Sequence, residues 1–233
     1  MSKSKTSNTG SQNPLLRRGQ GEASNPLLKP FSGIHQTAPF SLIKIEHYKP
    51  AFDAAIAEAK AEIQEIIDNP ETPTFRNTIV ELDLAGEKLN RIQSIFFNLN
   101  SAETCDEMQE IAQEIAPKLS DFGNDVNLNE ALFTRIKTVH EQAENLKLNA
   151  EEKTLLEKTF RRFVRSGANL NEADKSKYRE ITRELSQLGL KYQQNVLAET
   201  NAYELLITDE KDLSGLPESI VEMASQATQI GRA

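Results

Sequence analysis

The sequence predicts an all-α protein, an array of about seven helices with at most one short strand near residues 202–208. Three observations carry this. Apolar residues recur at steps of three, four and seven through most of the chain, the spacing that lines one face of a 3.6-residue helix. Capping pairs stand where such runs begin, Thr104 with Glu107 and Asn149 with Glu152. Prolines and glycines fall between the runs, as at Asn69-Pro70, Gly167 and Pro217.

Residues 1–33 are rich in Ser, Asn, Gly, Gln and Lys, lack an apolar period and read as a disordered tail. Asn-Pro-Leu-Leu occurs there twice, at 13–16 and 25–28, and only the second copy is expected to pack on the body. Residues 34–44 read as extended. The first helix spans about 46–68 with Phe52, Ile56, Ala59, Ile63, Ile66 and Ile67 inward, and Asn69-Pro70 ends it because a residue before proline avoids the α region. Thr74 is placed to cap a second helix running to Ala102, whose stripe of Phe75, Ile79, Leu82, Leu89, Ile92, Phe96 and Leu99 makes it the expected centre of the array. The third helix opens at Thr104 and carries Met108, Ile111, Ile115, Leu119, Phe122 and Val126, with Pro117 predicting a kink. The fourth spans about 130–145, and the fifth opens at Asn149 and stops at Gly167. Asn171 caps a long sixth helix to about Ala202, with Tyr178, Ile181, Leu185, Leu188, Tyr192 and Val196 as its stripe. Tyr203, Leu205 and Ile207 alternate as in a strand, and the seventh helix, 218 to about 229, follows Pro217. The end at Gly231-Arg232-Ala233 reads as a cut rather than a domain boundary.

The 233 residues are enough for one large domain or two small ones and enough to bury a real core, and the net charge is −8. An acidic chain without a basic cluster in its body argues against nucleic acid and anionic membranes as partners. No apolar run is long enough to span a bilayer, and no apolar stretch follows the first lysines as in a secretory signal. With a single cysteine, Cys105, no internal disulfide forms, which fits a reducing compartment; the expected location is cytoplasmic.

Candidate chemistry is sparse. Cys105 has no His or Asn in a recognisable pattern around it. His140 and Glu141 invite comparison with the zinc signature H-E-x-x-H, but the position for the second histidine holds Glu144, so one nitrogen ligand is missing. His47 stands at the start of the first helix, where packing or capping is the expected role, and His35 lies in the lead-in. There is no Gly-rich phosphate loop and no G-x-S-x-G elbow. No catalytic, cofactor-binding or metal-ligating residue is assigned in this chain.

Four stretches together resemble the N-terminal half of the zinc oligopeptidases, the family of thimet oligopeptidase, oligopeptidase A and peptidyl-dipeptidase. They are IKIEHYKPAFDAAIAEAKAEI (43–63), NPETPTFRNTIVELDLAGEKLNRIQSIFFNLNSA (69–102), LEKTFRRFVRSGANL (156–170) and KYQQNVLAETNAYELLITDEKDLSGLPES (191–219). The closest likeness is to the peptidyl-dipeptidase branch, which releases dipeptides from peptide C-termini. The resemblance implies a helical, clam-shaped molecule with a channel between two halves that admits short peptides. It further implies zinc held by an H-E-x-x-H helix and a further Glu, all in the C-terminal half. Residues 34–233 are then the helical N-terminal portion of a larger peptidase, one wall of the channel, inactive alone and lacking the zinc motif. Such a piece is expected to expose apolar surface meant for its other half. A second reading stays open: a stand-alone helical module that binds peptides or another chain without catalysis.

Overall fold

The computed structural model describes residues 25–230, the side chains of 227–230 excepted; the first copy of Asn-Pro-Leu-Leu and most of the expected tail lie outside the described residues. Eight α-helical segments occur among them: α1 (Tyr48–Asp68), α2 (Glu81–Leu84), α3 (Glu87–Ala102), α4 (Asp106–Asn127), α5 (Glu130–Glu141), α6 (Ala150–Arg165), α7 (Glu172–Ala202) and α8 (Glu218–Ile230). The all-α class holds, and the strand near 202–208 does not form: residues 203–209 are in neither strand nor helix. The chain divides into two compact units, one up to Leu190 and one from Lys191.

In the first unit α1 is the centre, displacing the second predicted helix from that role. The N-terminal half of α1 gives Tyr48, Ala51, Phe52 and Ala55 to a core shared with Leu89, Ile92 and Phe96 of α3 and Met108, Ile111 and Ile115 of α4. Phe96 is fully buried, with the Tyr48 and Phe52 rings edge-on at 4.9 and 5.5 Å. The C-terminal half gives Ile63 and Ile66 to a second core with Ile79, Leu82, Leu132, Phe133, Ile136, Leu156 and Phe163. One helix with two buried ends needs an apolar stripe along its whole length, and the Phe52-to-Ile66 repeat supplies it.

The helix expected over 74–102 is interrupted. Thr74 caps it as predicted, its Oγ1 accepting from the Asn77 N–H at 3.1 Å while the Asn77 Oδ1 accepts from the Thr74 N–H at 2.8 Å. The first turns, Phe75–Val80, are a π-helix that runs into α2. The chain then leaves the helix at Ala85 (ψ 135°) and turns at Gly86, whose φ of 77° is left-handed. The Gly86 N–H donates to Glu62 Oε2 of α1 at 2.7 Å, so the break is tied to the central helix. A left-handed residue costs an L side chain strain that glycine avoids.

Other boundaries also move. Residues 34–44 are not extended but hold two 3-10 turns, Ile34–Gln36 and Phe40–Leu42. The Thr104–Glu107 capping box does not form: Thr104 Oγ1 donates to Asn100 Oδ1 of the preceding helix, and Cys105 is left at the cap without a side-chain bond. α5 ends at Glu141 and a separate 3-10 turn, Ala143–Asn145, follows. α4 is one helix through the buried Pro117. The Asn149–Glu152 box and the stop at Gly167 (φ 90°) occur as expected.

The end of the expected tail is part of the core. Leu27 is fully buried among the residues of the first core, and Asn25 beside it is bonded on both sides, Nδ2 donating to His47 O at 2.8 Å and Oδ1 accepting from the Leu27 N–H at 3.0 Å. Arg91 Nη2 donates to the Leu27 and Lys29 carbonyls at 3.3 Å, and its guanidinium lies 4.5 Å from the Phe31 ring centre.

Candidate functional site

His140 sits in the last turn of α5, its ring stacked on Phe160 of α6 at 3.9 Å and 10° between planes. Its Nε2 is 3.0 Å from Glu157 Oε2, and Glu157 also accepts from Arg161 at 2.7 Å. The bond to His140, then that to Arg161, holds the Glu157 carboxyl below its ordinary range. His140 therefore serves as a clasp between α5 and α6. Glu144 belongs to the separate turn after α5, and Glu141 is a surface partner of Lys137. The residues that echo a zinc signature thus do not fit a zinc site. Among the described residues no three His, Cys, Asp or Glu side chains gather to hold a metal ion.

His47 does what its position suggested: its Nδ1 accepts from the Lys44 N–H at 3.0 Å and closes the turn that leads into α1. His35 is exposed, in a turn with φ of 59°. Cys105 is exposed at the start of α4. A cleft of about 390 Å³ opens where the end of α1 meets the π-turn, between Glu62, Glu65, Arg76 and Glu81. Beside it Arg135, almost fully buried, donates to the carbonyls of Asn69 at 2.8 Å and Glu71 at 3.4 Å, fixing that turn to α5. These contacts secure structure; no nucleophile and base meet there.

Among the described residues the feature with functional content is a surface. In the first unit, α7 faces the body with its polar side. Arg179 pairs with Asp125 at 2.9 Å, Arg183 with Asp121 at 3.8 Å, and Asn124 Nδ2 donates to Thr182 Oγ1 at 2.8 Å. Lys175 on that side is 7% exposed, whereas Ile181, Leu185 and Leu188 on the opposite side are 62%, 65% and 53% exposed. A surface helix ordinarily turns its apolar stripe inward and its charges outward; α7 does the reverse. In the second unit Tyr192, Val196, Tyr203, Leu205 and Leu206 are exposed as well. The sequence marked this stripe by its period, but a period does not say which side meets the core. No described helix is long and apolar enough to cross a membrane.

Comparison with known proteins gives this surface a context. Residues 52–175 match the family described as Neurolysin/Thimet oligopeptidase, N-terminal domain. The chain is 35% identical over 205 residues to dipeptidyl carboxypeptidase of Escherichia coli (strain K12), covering 88% of this chain and 30% of that protein. It is 34% identical over 206 residues to oligopeptidase A of Haemophilus influenzae, with 88% and 30% covered. A probable cytosolic oligopeptidase A of Arabidopsis thaliana is 25% identical over 205 residues. The chain thus spans about 30% of the length of the bacterial relatives it matches. By the family match over 52–175 and by these identities, the chain belongs to the neurolysin/thimet oligopeptidase family and carries its N-terminal domain.

Proposed function

We propose that this chain is the N-terminal part of a zinc metallopeptidase of the peptidyl-dipeptidase or oligopeptidase type, which cleaves short peptides. In that protein it forms one wall of the substrate channel, the zinc and its ligands lie outside these residues, and the chain alone has no peptidase activity. A cytoplasmic location belongs to the same reading, after the cytosolic Arabidopsis relative. The observation that carries it is the inverted α7: a row of large apolar side chains, more than half exposed, held outward by polar anchors on the other side. Burying such side chains yields about 1.5–3 kcal/mol each, so a surface of this kind is built to be covered. The relatives' length supplies the cover, since about 70% of it lies outside the match.

The test is a comparison of the product of the whole gene with this chain. Release of dipeptides from the C-terminus of short peptides, abolished by a zinc chelator, is expected of the former and absent from the latter. A full gene product without chelator-sensitive peptidase activity would overturn the reading. The stand-alone module draws support from one observation, that the buried residues of both hydrophobic cores all lie within residues 27–168. It predicts a native protein of about this size, 26.1 kDa, on a blot from the source cells.

A further inference from the structure

Residues 203–209 follow α7 without helix, turn or bend, and reach a short 3-10 turn, Glu210–Leu213, through an extended Asp209 (φ −101°, ψ 122°). Tyr203, Leu205, Leu206 and Ile207 there are 72%, 70%, 73% and 38% exposed. The backbone of residues 204–208 makes no turn, loop or cap hydrogen bond with any described residue. Aromatic and aliphatic residues in extended conformation with free N–H and C=O groups are a template for strand addition. Water can satisfy such groups while they are exposed, but once the apolar side chains beside them are covered they need protein partners, and those of residues 204–208 have none in a turn, loop or cap among the described residues.

We propose that residues 203–209 are the first strand of a strand–helix–strand unit, and that the second strand comes from the protein's own residues beyond position 233. This rests on the reading above, that the gene product continues. The intervening helix is α8, which Pro217 introduces. A strand followed by one helix returns the chain to the start of that strand, so the next strand lies parallel to it; a crossover of a dozen or more residues is what a parallel pair requires. A strand on the same chain a few tens of residues away closes a short loop and outcompetes a second copy at ordinary concentrations. Pairing covers the free backbone groups and buries one side of the Tyr203, Leu205 and Ile207 alternation.

Amide hydrogen exchange, read by mass spectrometry on the 233-residue chain and on the full gene product, tests this. Amides of residues 204–208 exchange at unstructured rates in the shorter chain and are slowed about a hundred-fold or more in the full product. N–H groups of alternate residues point to the same side of a strand, so of Leu205→Pro and Leu206→Pro in the full product one abolishes the protection and the other leaves it. Exchange at the same unprotected rate in both chains, while the full product is a chelator-sensitive peptidase, overturns the strand and leaves the function standing. Protection in the short chain that rises with its concentration assigns the pairing to a second copy and overturns the proposal. Equal tolerance of both prolines also overturns it. A gene product ending at position 233 removes both readings together.

Discussion

Gly86 and Gly167 both hold a left-handed backbone, yet their surroundings differ in a way that ranks two substitutions. A Cβ on Gly86 would meet only the Ala59 Cβ, at 3.7 Å, an ordinary contact. Gly86→Ala therefore costs the conformational strain alone, about 1–2 kcal/mol, and Gly86→Asn costs less because asparagine tolerates this region. A Cβ on Gly167 would lie 2.8 Å from Cδ1 of the partly exposed Leu170, which can turn away, and 3.3 Å from Cδ2 of the buried Leu128, which has less room to give. Gly167→Ala therefore adds crowding to the strain and is the more destabilising of the two; urea midpoints at constant m-value give the ranking. Phe96, fully buried between Tyr48, Phe52 and Phe97, sets the upper end: Phe96→Ala costs about 3–5 kcal/mol on the same assay. Glu157 makes a different kind of prediction. Its folded-state pKa is lowered, so its contribution to stability is present above the ordinary value near 4.5 and is lost as pH falls through the folded value. Removing the largest cause with His140→Phe moves the Glu157 carboxyl back toward its ordinary range, as a carbon-13 titration of that carboxyl would report. An unchanged titration would mean that Arg161 alone sets it.

At the scale of elements, α7 carries the sharpest contrast. Its outward residues Ile181, Leu185 and Leu188 are exposed, while its inward contacts run through Thr182, Arg179 and Arg183 to α4. Replacing Ile181 and Leu185 by Glu is expected to leave the stability of this chain within about 0.5 kcal/mol, and to lower its self-association in sedimentation. Asn124→Leu on the opposite side leaves Thr182 without that partner and is the costlier change. A loss of several kcal/mol from the outward pair would show that the stripe is already buried in solution. The helix itself was legible in its sequence, because Tyr178, Ile181, Leu185 and Leu188 keep the 3.6-residue period. Its orientation was not, because the anchoring residues are the kind that decorate any solvated face. The break at Gly86 was hidden for a related reason: Leu82 and Leu89 stand seven apart on either side of it, so the apolar period passes through the turn as if the helix continued. The capping boxes divide in the same way. Asn77 and Glu152 reach back to their cap residues, whereas Thr104, with the same pattern, finds the side chain of Asn100 closer.

For the molecule as a whole, the two cores and the two units do not coincide in extent. Both cores are built from residues between Leu27 and Ala168, with Leu190 packed against the first, and all belong to the unit that ends at Leu190. The second unit adds no buried large side chain among residues whose burial is described; Tyr192, Tyr203, Leu205, Leu206 and Met223 are all exposed. Cooperative unfolding measures buried apolar area, so it belongs to the first unit, while the second opens at low cost. A protease acting on the native chain at low concentration is therefore expected to cut first within residues 203–217. That stretch includes a backbone run, 204–208, without a turn, loop or cap hydrogen bond to any described residue, and the product should be a stable fragment reaching into α7. The fragment should keep the urea midpoint of the whole chain, with an m-value lowered only slightly, because little surface is lost from the transition. A midpoint that falls with the cut would mean that the second unit stabilises the cores. If midpoint and proteolysis agree with expectation, the same cut made in the full gene product discriminates further. If, as proposed, the gene product continues beyond these residues, protection of residues 203–217 from the protease there is the expected sign that its further residues cover what this chain leaves open.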